Sequence, residues 1–456
     1  MDASTMHIAM YPWFAMGHYI PFLHLSNKLA KRGHRISLLI PKRTQSKVEH
    51  MNLHPHLISF VPITVPDVDG LPQNAETTSD VPFSLFPLIA TAMDRTEKDI
   101  ELLLRELKPQ IVFFDFSYWL PNLTRSLGMK SLQYLIVSAV SPAYFDSRAR
   151  YLKVRDITEI DFTEPPPGFP DSVITLSEHE ARFAARLLNM EFGSGVLFSD
   201  RLHTGTKLSD AIGFKGCPEI EGPYVDYLAK QYGKPVLLSG PVLPEPPNST
   251  LEEKWDAWLG GFKPGSVILC AFGSESTLEK NEFDELLLGL ELTGFPFVAA
   301  LKAPNGFESI EEGLPEGFEE RVGGRGVVYG GWVQQQLILG HPSVGCFITH
   351  CGAASITEAL LSHCQIVFLP GLGSDYVMNA RMMSRKLKVG VEVEKGEDGL
   401  FTKESVCRSV KIVMDEESEV GRQVRANHAT VSKLLQSNNL DSTCVDHFCR
   451  GLRDLL

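Results

Sequence analysis

Residues 332–375 read WVQQQLILGHPSVGCFITHCGAASITEALLSHCQIVFLPGLGSD, and the punctuation of this stretch decides the fold. Residues 346–349 are an apolar run of strand length. Residues 350–355 are a loop of small residues, His350-Cys351-Gly352-Ala353-Ala354-Ser355, and 356–361 carry a helical apolar pattern with Glu358 on it. A strand, a tight loop and a helix in that order bring unpaired backbone N–H groups, a hydroxyl and an imidazole to the positive end of a helix, where an anion can bind. An ordinary strand-to-helix turn has the same three pieces, so the surrounding pattern has to separate the two readings.

Outward from the stretch, strands and helices alternate. Toward the N-terminus lie a strand over 326–329, a strand over 296–301, a helix over 281–292 and a strand over 267–272; beyond the stretch, 403–415, 421–435 and 442–456 read as helices. Earlier still, SGPVLPEPPNST (239–250) is rich in Pro and polar residues and reads as a linker. The first half has the same rhythm: strands at 7–11, 36–40, 57–61, 111–114 and 132–137, helices over 20–31, 85–107 and 119–127, and further strands near 196–198 and 236–238. Such alternation implies parallel sheets covered on both faces. The expected class is α/β: two doubly wound Rossmann-like domains facing each other across a cleft, with ligands at the carboxyl ends of both sheets. The expected limits are 1–238, a linker at 239–255, 256–436, and a final helix at 437–456.

Two residues of the first half fit that cleft. His18 follows the first strand at its junction with a helix, and Asp115 closes the apolar strand 111–114. Each has a bland reading as a cap. In a parallel sheet the two strand ends can be neighbours, and a carboxylate on one imidazole nitrogen fixes the tautomer and makes the other nitrogen a better base.

A length of 456 residues favours two cores over one. A formal net charge of −13 argues against a nucleic-acid or anionic-membrane surface. No apolar run approaches the roughly 20 residues of a membrane span, and the N-terminus lacks the basic start of a secretory signal. All eight cysteines lie at or after Cys217 without a CxxC pair, which reads as free thiols in a cytoplasmic protein. Cys346, His350 and Cys351 lack a fourth metal ligand. Asp67-Val68-Asp69 reads as a turn, so no metal is expected.

The stretch 332–375 resembles the signature box of plant small-molecule glycosyltransferases that use UDP-sugars: Trp, Gln, His-Pro, Gly-x-Phe-x-Thr-His-Cys-Gly, Ser, Glu, Pro and a closing acidic/Gln pair. The resemblance implies the GT-B fold, with the last helix returning to the first domain. It implies that Trp332 stacks on the uracil, with Val333 and Gln335 beside the uridine. His350, Ser355 and the Gly352 backbone would hold the diphosphate, and Glu358 would accept from the ribose hydroxyls. Ala354 and the turn at Gly273-Ser274 fall near the phosphates. In the family, His18 and Asp115 match the catalytic pair that deprotonates the acceptor. This chain has Ala353-Ala354 where the family usually has Trp-Asn, so one amide contact to phosphate is missing. The closing pair falls either on Ser374-Asp375 or, anchored on Asn379, on Asp375-Tyr376. That pair touches sugar hydroxyls in the family.

Residues 69–82, GWVQQQ (331–336) and EPPNSTLEEKWDAWL (245–259) resemble the subgroup that extends the sugar of flavonoid glycosides. The implied activity is metal-independent, inverting transfer of glucose, rhamnose or xylose to a plant glycoside, foremost the sugar of a flavonoid 3-O-glycoside and alternatively a terpenoid glycoside. The UDP-sugar is a co-substrate rather than a cofactor, the partners are small molecules, and the chain is expected to be a monomer. Segments 83–88 and 141–160 are expected to shape the acceptor pocket. Rival readings are weaker. No GxGxxG follows the first strand, no GxSxG is present, and a mere nucleotide-sugar binder has no use for a base.

Overall fold

The structure is a computed structural model describing residues 5–146, 157–243, 249–273, 276–371, 373–437 and 439–456. It contains a seven-stranded sheet ordered β3-β2-β1-β4-β5-β6-β7 and a six-stranded sheet ordered β10-β9-β8-β11-β12-β13. The strands of the first are β1 (His7–Tyr11), β2 (Arg35–Pro41), β3 (Ile58–Ile63), β4 (Ile111–Phe114), β5 (Lys130–Leu135), β6 (Ala211–Phe214) and β7 (Val236–Leu238). Those of the second are β8 (Val267–Ala271), β9 (Phe297–Ala300), β10 (Gly326–Tyr329), β11 (Val344–Thr349), β12 (Gln365–Phe368) and β13 (Gly390–Glu392). Both sheets are doubly wound, and each reverses its strand order beside its first strand, at β1/β4 and at β8/β11. Ligands bind at such switch points, beyond the strands' carboxyl ends.

The central strands β1, β4 and β8 are buried along their whole length, because helices cover both faces and every side chain meets a core. The last helix, Leu440–Leu455, lies on the first sheet. Its Phe448 ring is 6.0 Å from that of Phe113, and Lys28 and Arg32 reach Asp441 at 2.5 Å and Asp446 at 2.9 Å. A contiguous apolar cluster runs from Leu135 and Phe214 of the first half to Val267, Phe347 and Met378 of the second, so the halves share apolar contacts.

Two expected elements differ. The helix over 85–107 is two helices, Phe86–Arg95 and Glu97–Leu107. Thr96 separates them: its hydroxyl bonds the Met93 carbonyl at 2.6 Å and meets the Tyr11 hydroxyl at 2.6 Å. A threonine hydroxyl competing for backbone partners interrupts the helical ladder. The strand near 196–198 is absent; Phe198 begins a helix running to Leu208. Val196-Leu197-Phe198 is apolar because the Phe198 ring packs on Phe192 and Phe116, at 5.1 and 5.7 Å, and a short apolar run does not by itself distinguish strand from helix.

Candidate active site

The first wall of the cleft is the β1/β4 switch point. In register, Tyr11 is opposite Phe114, so the residues just beyond them leave the sheet side by side. Asp115 is the first residue past β4 and is 2% exposed. One carboxylate oxygen accepts from the Trp13 N–H at 2.7 Å, and the other lies 2.5 Å from His18 Nδ1. The Gln133 side-chain amide donates to the Asp115 carbonyl at 3.0 Å and holds the turn. His18 sits in the first turn of the helix Met16–Ala30, which starts earlier than its apolar pattern suggests. Its side chain remains 27% exposed. A carboxylate at Nδ1 places the proton there and leaves the lone pair on Nε2, which Asp115 does not cover.

The second wall is the β8/β11 switch point. Cys351 takes a left-handed φ of 73°, turning the chain from β11 into the helix Ala353–Leu361, with Ser355 in its first turn. The His350 imidazole is clasped by two glycine backbones. A Cβ on Gly352 would lie 2.7 Å from His350 Nε2, and one on Gly273, itself at φ +69°, would lie 3.1 Å from Cε1. Burial drives the His350 pKa down to about 4, opposed by the nearby Ala271 backbone. Its Nδ1 is buried without a partner. The Nε2 edge of the ring lies beside Gly352, where the free N–H groups of the helix start offer an anion its hydrogen bonds.

The helix Ser374–Arg381 closes this wall. Tyr376 meets the His350 ring edge-on, centroids 5.2 Å apart, and the Asn379 side chain donates to the Cys351 carbonyl at 3.1 Å. Burial raises the Asp375 carboxyl, while its own and the Tyr376 backbone N–H and the charges of Lys215 and His18 oppose the rise. Asp375 is therefore within electrostatic reach of two groups of the opposite wall, whichever alignment of the closing pair is taken. Ser274 and the side chain of Ser374 lie outside the described residues, as do residues 147–156 of the segment 141–160.

Beside this wall a cavity of roughly 570 Å³ is lined by Gly273, Trp332, Val333, Gln335, Ser355 and Glu358, among others. Trp332 is 76% exposed, an unusual state for a tryptophan without a partner surface. Gln335 donates to Glu358 at 2.6 Å and to Ser355 Oγ at 3.3 Å, and burial raises the Glu358 carboxyl against that bond. Ala354 is not part of this cavity. It lines a second one, of roughly 310 Å³, on another face of the same helix, together with Ala353 and Lys215. Lys215 escaped the sequence reading, although its place just after the apolar run Ala211–Phe214 is the same signal that marked Asp115.

The Asp67–Asp69 loop follows β3, and Arg95 donates to the Asp67 carbonyl at 2.7 Å. Among the described residues no group of three His, Cys, Asp or Glu side chains could hold a metal ion, and no helix is long and apolar enough to cross a membrane. All eight cysteines are free, and burial pushes the Cys346 and Cys351 thiols up.

Comparison with known proteins agrees with this geometry. The family model described as UDP-glucoronosyl and UDP-glucosyl transferase matches residues 320–433. The chain is 60% identical over 458 residues to a cyanidin 3-O-galactoside 2''-O-xylosyltransferase of Actinidia chinensis var. chinensis, covering 100% of both chains. The chain belongs to the UDP-glycosyltransferase family. Among the further relatives of this glycosyltransferase is an anthocyanidin 3-O-glucoside 2''-O-glucosyltransferase of Ipomoea purpurea, 56% identical over 100% of this chain and 99% of the relative. The fold is shared with a Polygonum tinctorium UDP-glucosyltransferase capable of glucosylating indoxyl (TM-score 0.78, 21% identity, covering 99% of this chain and 100% of that one). It is shared as well with a UDP-glucose: anthocyanidin 3-O-glucosyltransferase in complex with UDP (TM-score 0.75, 24% identity, covering 99% of both chains). The UDP-glycosyltransferase thus has the GT-B architecture of two Rossmann-like halves.

Proposed function

We propose that this glycosyltransferase moves a sugar from a UDP-sugar, with inversion, to a hydroxyl on the sugar of a flavonoid 3-O-glycoside. The observation that carries this is the pairing of His18 with Asp115 on the wall opposite His350. His18 Nε2 takes the proton of the acceptor hydroxyl, and that oxygen attacks the anomeric carbon from the side away from UDP. The bond to the UDP oxygen breaks as the new bond forms, which inverts the carbon. The leaving diphosphate is held by the helix N-terminus with His350, Ser355 and the Gly352 backbone. Trp332 stacks on the uracil, Val333 and Gln335 flank the uridine, and Glu358 accepts from the ribose hydroxyls. Asp375 faces the transferred sugar. UDP-sugar serves as co-substrate, no metal takes part, and the enzyme acts as a monomer in the cytoplasm with the domain limits expected from the sequence.

The acceptor class rests on the relatives, which are named for adding xylose or glucose to the 2''-oxygen of anthocyanidin or cyanidin 3-O-glycosides. Donors are therefore UDP-xylose and UDP-glucose first, with UDP-rhamnose third; a terpenoid glycoside is the alternative acceptor. The test is a grid of these three donors against flavonoid 3-O-glucosides, 3-O-galactosides and triterpenoid glycosides, read by product mass and linkage. Transfer to the sugar of a flavonoid 3-O-glycoside is expected. Transfer to the aglycone alone, or sugar release without any acceptor product, would contradict the reading.

A further inference from the structure

Lys215 is the first residue beyond β6, as Asp115 is the first beyond β4, so both leave the sheet at its ligand-binding edge. The turn that follows is shaped by Gly216. It has φ +124°, its N–H donates to the Gly240 carbonyl at 2.9 Å, and a Cβ there would lie 2.8 Å from Glu221 Cγ. Glu221 is thereby drawn in beside Lys215, yet its own oxygens are engaged. One accepts from Ser138 Oγ at 2.7 Å and the other from the Ala139 N–H at 3.0 Å. Lys215 itself makes no hydrogen bond or ion pair with the described residues. Burial pulls its pKa down to about 8, with the Asp375 and Glu221 carboxylates opposing that shift. An ammonium with its donors unused in a cleft is an unfinished contact.

What it faces is the cavity of roughly 310 Å³. Lys215, Ser138 and Glu221 line one side, and Ala353, Ala354 and Thr357 line the other. On the opposing helix Ala353 and Ala354 present methyl groups, the Thr357 hydroxyl is engaged by the Ala353 carbonyl and the Glu358 carboxylate accepts from Gln335, so Lys215 supplies the one ammonium that lines this cavity among the described residues. An ammonium flanked by carboxylates suits a neutral polyol, whose hydroxyls both donate and accept; a second phosphate would meet repulsion from Asp375 and Glu221. Asp375 is within electrostatic reach of both Lys215 and His18. Ile20, two residues past His18, and Ala353 and Ala354, in the first turn of the helix after the phosphate loop, line the same cavity, so Lys215 borders the space between that loop and the base, where the anomeric carbon has to lie during attack.

We propose that Lys215 is a specificity-determining contact to the transferred sugar: its ammonium donates to one ring hydroxyl of that sugar from the first wall, across from Asp375. Glu221 acts through it, as a positioning residue for the turn and for Ser138. The proposal rests on the transferase reading above.

The experiment compares wild type, Lys215→Met and Lys215→Arg on the productive UDP-sugar and on analogues lacking a single hydroxyl, with UDP affinity measured by calorimetry. In wild type, one analogue should lose about tenfold or more in kcat/KM, as expected for a bond to a charged donor. In Lys215→Met that same analogue should lose no more than about twofold relative to the parent sugar, with UDP affinity unchanged. Lys215→Arg, which keeps the charge, should retain part of the discrimination. Equal penalties for every analogue in wild type and Lys215→Met, or a matching loss of UDP affinity, would overturn the proposal. A wild-type enzyme that transfers sugar from none of these donors would overturn the transferase reading and this contact with it, and is recognised without any variant.

Discussion

Arg381 Nη2 lies 2.7 Å from both carboxylate oxygens of Glu180, and the two residues come from opposite halves of the molecule. Glu180 is in the helix Glu178–Leu188; Arg381 ends the helix Ser374–Arg381, whose first turn carries Asp375 and Tyr376, and it also meets Glu392 on β13. Both side chains are buried, at 6% and 7% exposure. Removing one member of a buried pair strands the other charge, which typically costs about 3–5 kcal/mol. Arg381→Ala should lower stability to urea by that order and, with the helix of Asp375 in the proposed donor-facing place, raise the KM for UDP-sugar as that helix loosens. The double change Arg381→Met with Glu180→Leu should cost less than the sum of the two single truncations, although Glu392 loses its partner in it as well. Additive losses in the double variant would show that the pair is not coupled.

Acid should destabilise the enzyme partly through His350. In the unfolded chain its imidazole protonates near the ordinary value of about 6.5, whereas burial keeps the native imidazole neutral down to about 4. Between those values the unfolded state binds a proton that the native state refuses, so stability falls as pH falls through that window, by on the order of 3 kcal/mol. His34 and His428, lowered by burial as well, act in the same direction. Urea midpoints measured from pH 7 to pH 4.5 should decline less steeply in His350→Gln than in wild type. An unchanged slope would remove His350 from the acid response.

Trp332 offers a test of the uridine wall that avoids the core. Its ring is 76% exposed, so truncation leaves the native packing intact. Trp332→Ala should weaken UDP binding by about 1–2 kcal/mol, the loss of one aromatic stacking partner, with Tm unchanged. A drop in Tm without a change in UDP affinity would assign the ring to stability instead.

Glu358 should read the ribose. Its carboxylate accepts from Gln335 at 2.6 Å, and the other oxygen is available to a diol. Wild type should bind UDP about tenfold more tightly than 2'-deoxy-UDP, and Glu358→Ala should bind the two about equally. Retained discrimination in that variant, measured by calorimetry, would place ribose recognition elsewhere.

Much of the fold was legible because buried parallel strands are short apolar runs bounded by turns; β1, β4, β7 and β10 begin and end where the residue pattern places them. Helix limits were less legible. Thr96 divides an otherwise unbroken apolar pattern through a bond to Tyr11, a residue 85 positions away in sequence. The helix Glu178–Leu188 was missed although Ser177 and Glu180 form a capping box at its start. In the site, Asp115 stood out as a polar residue at a strand end and His18 as one at the junction of the first strand and its helix. Lys215 occupies the equivalent position after β6, but nothing local reveals that Asp375, far along the chain, folds to within its electrostatic reach. The exposure of Trp332 is likewise a property of the cleft that no residue pattern records.

The most direct test is kcat and UDP affinity in His18→Ala with the productive donor and acceptor. Removal of a general base should lower kcat by about 100- to 10,000-fold, with the dissociation constant of UDP unchanged, because the imidazole meets Asp115 on the wall away from the uridine cavity. Turnover within about threefold of wild type would contradict the assignment of His18 as the proton acceptor.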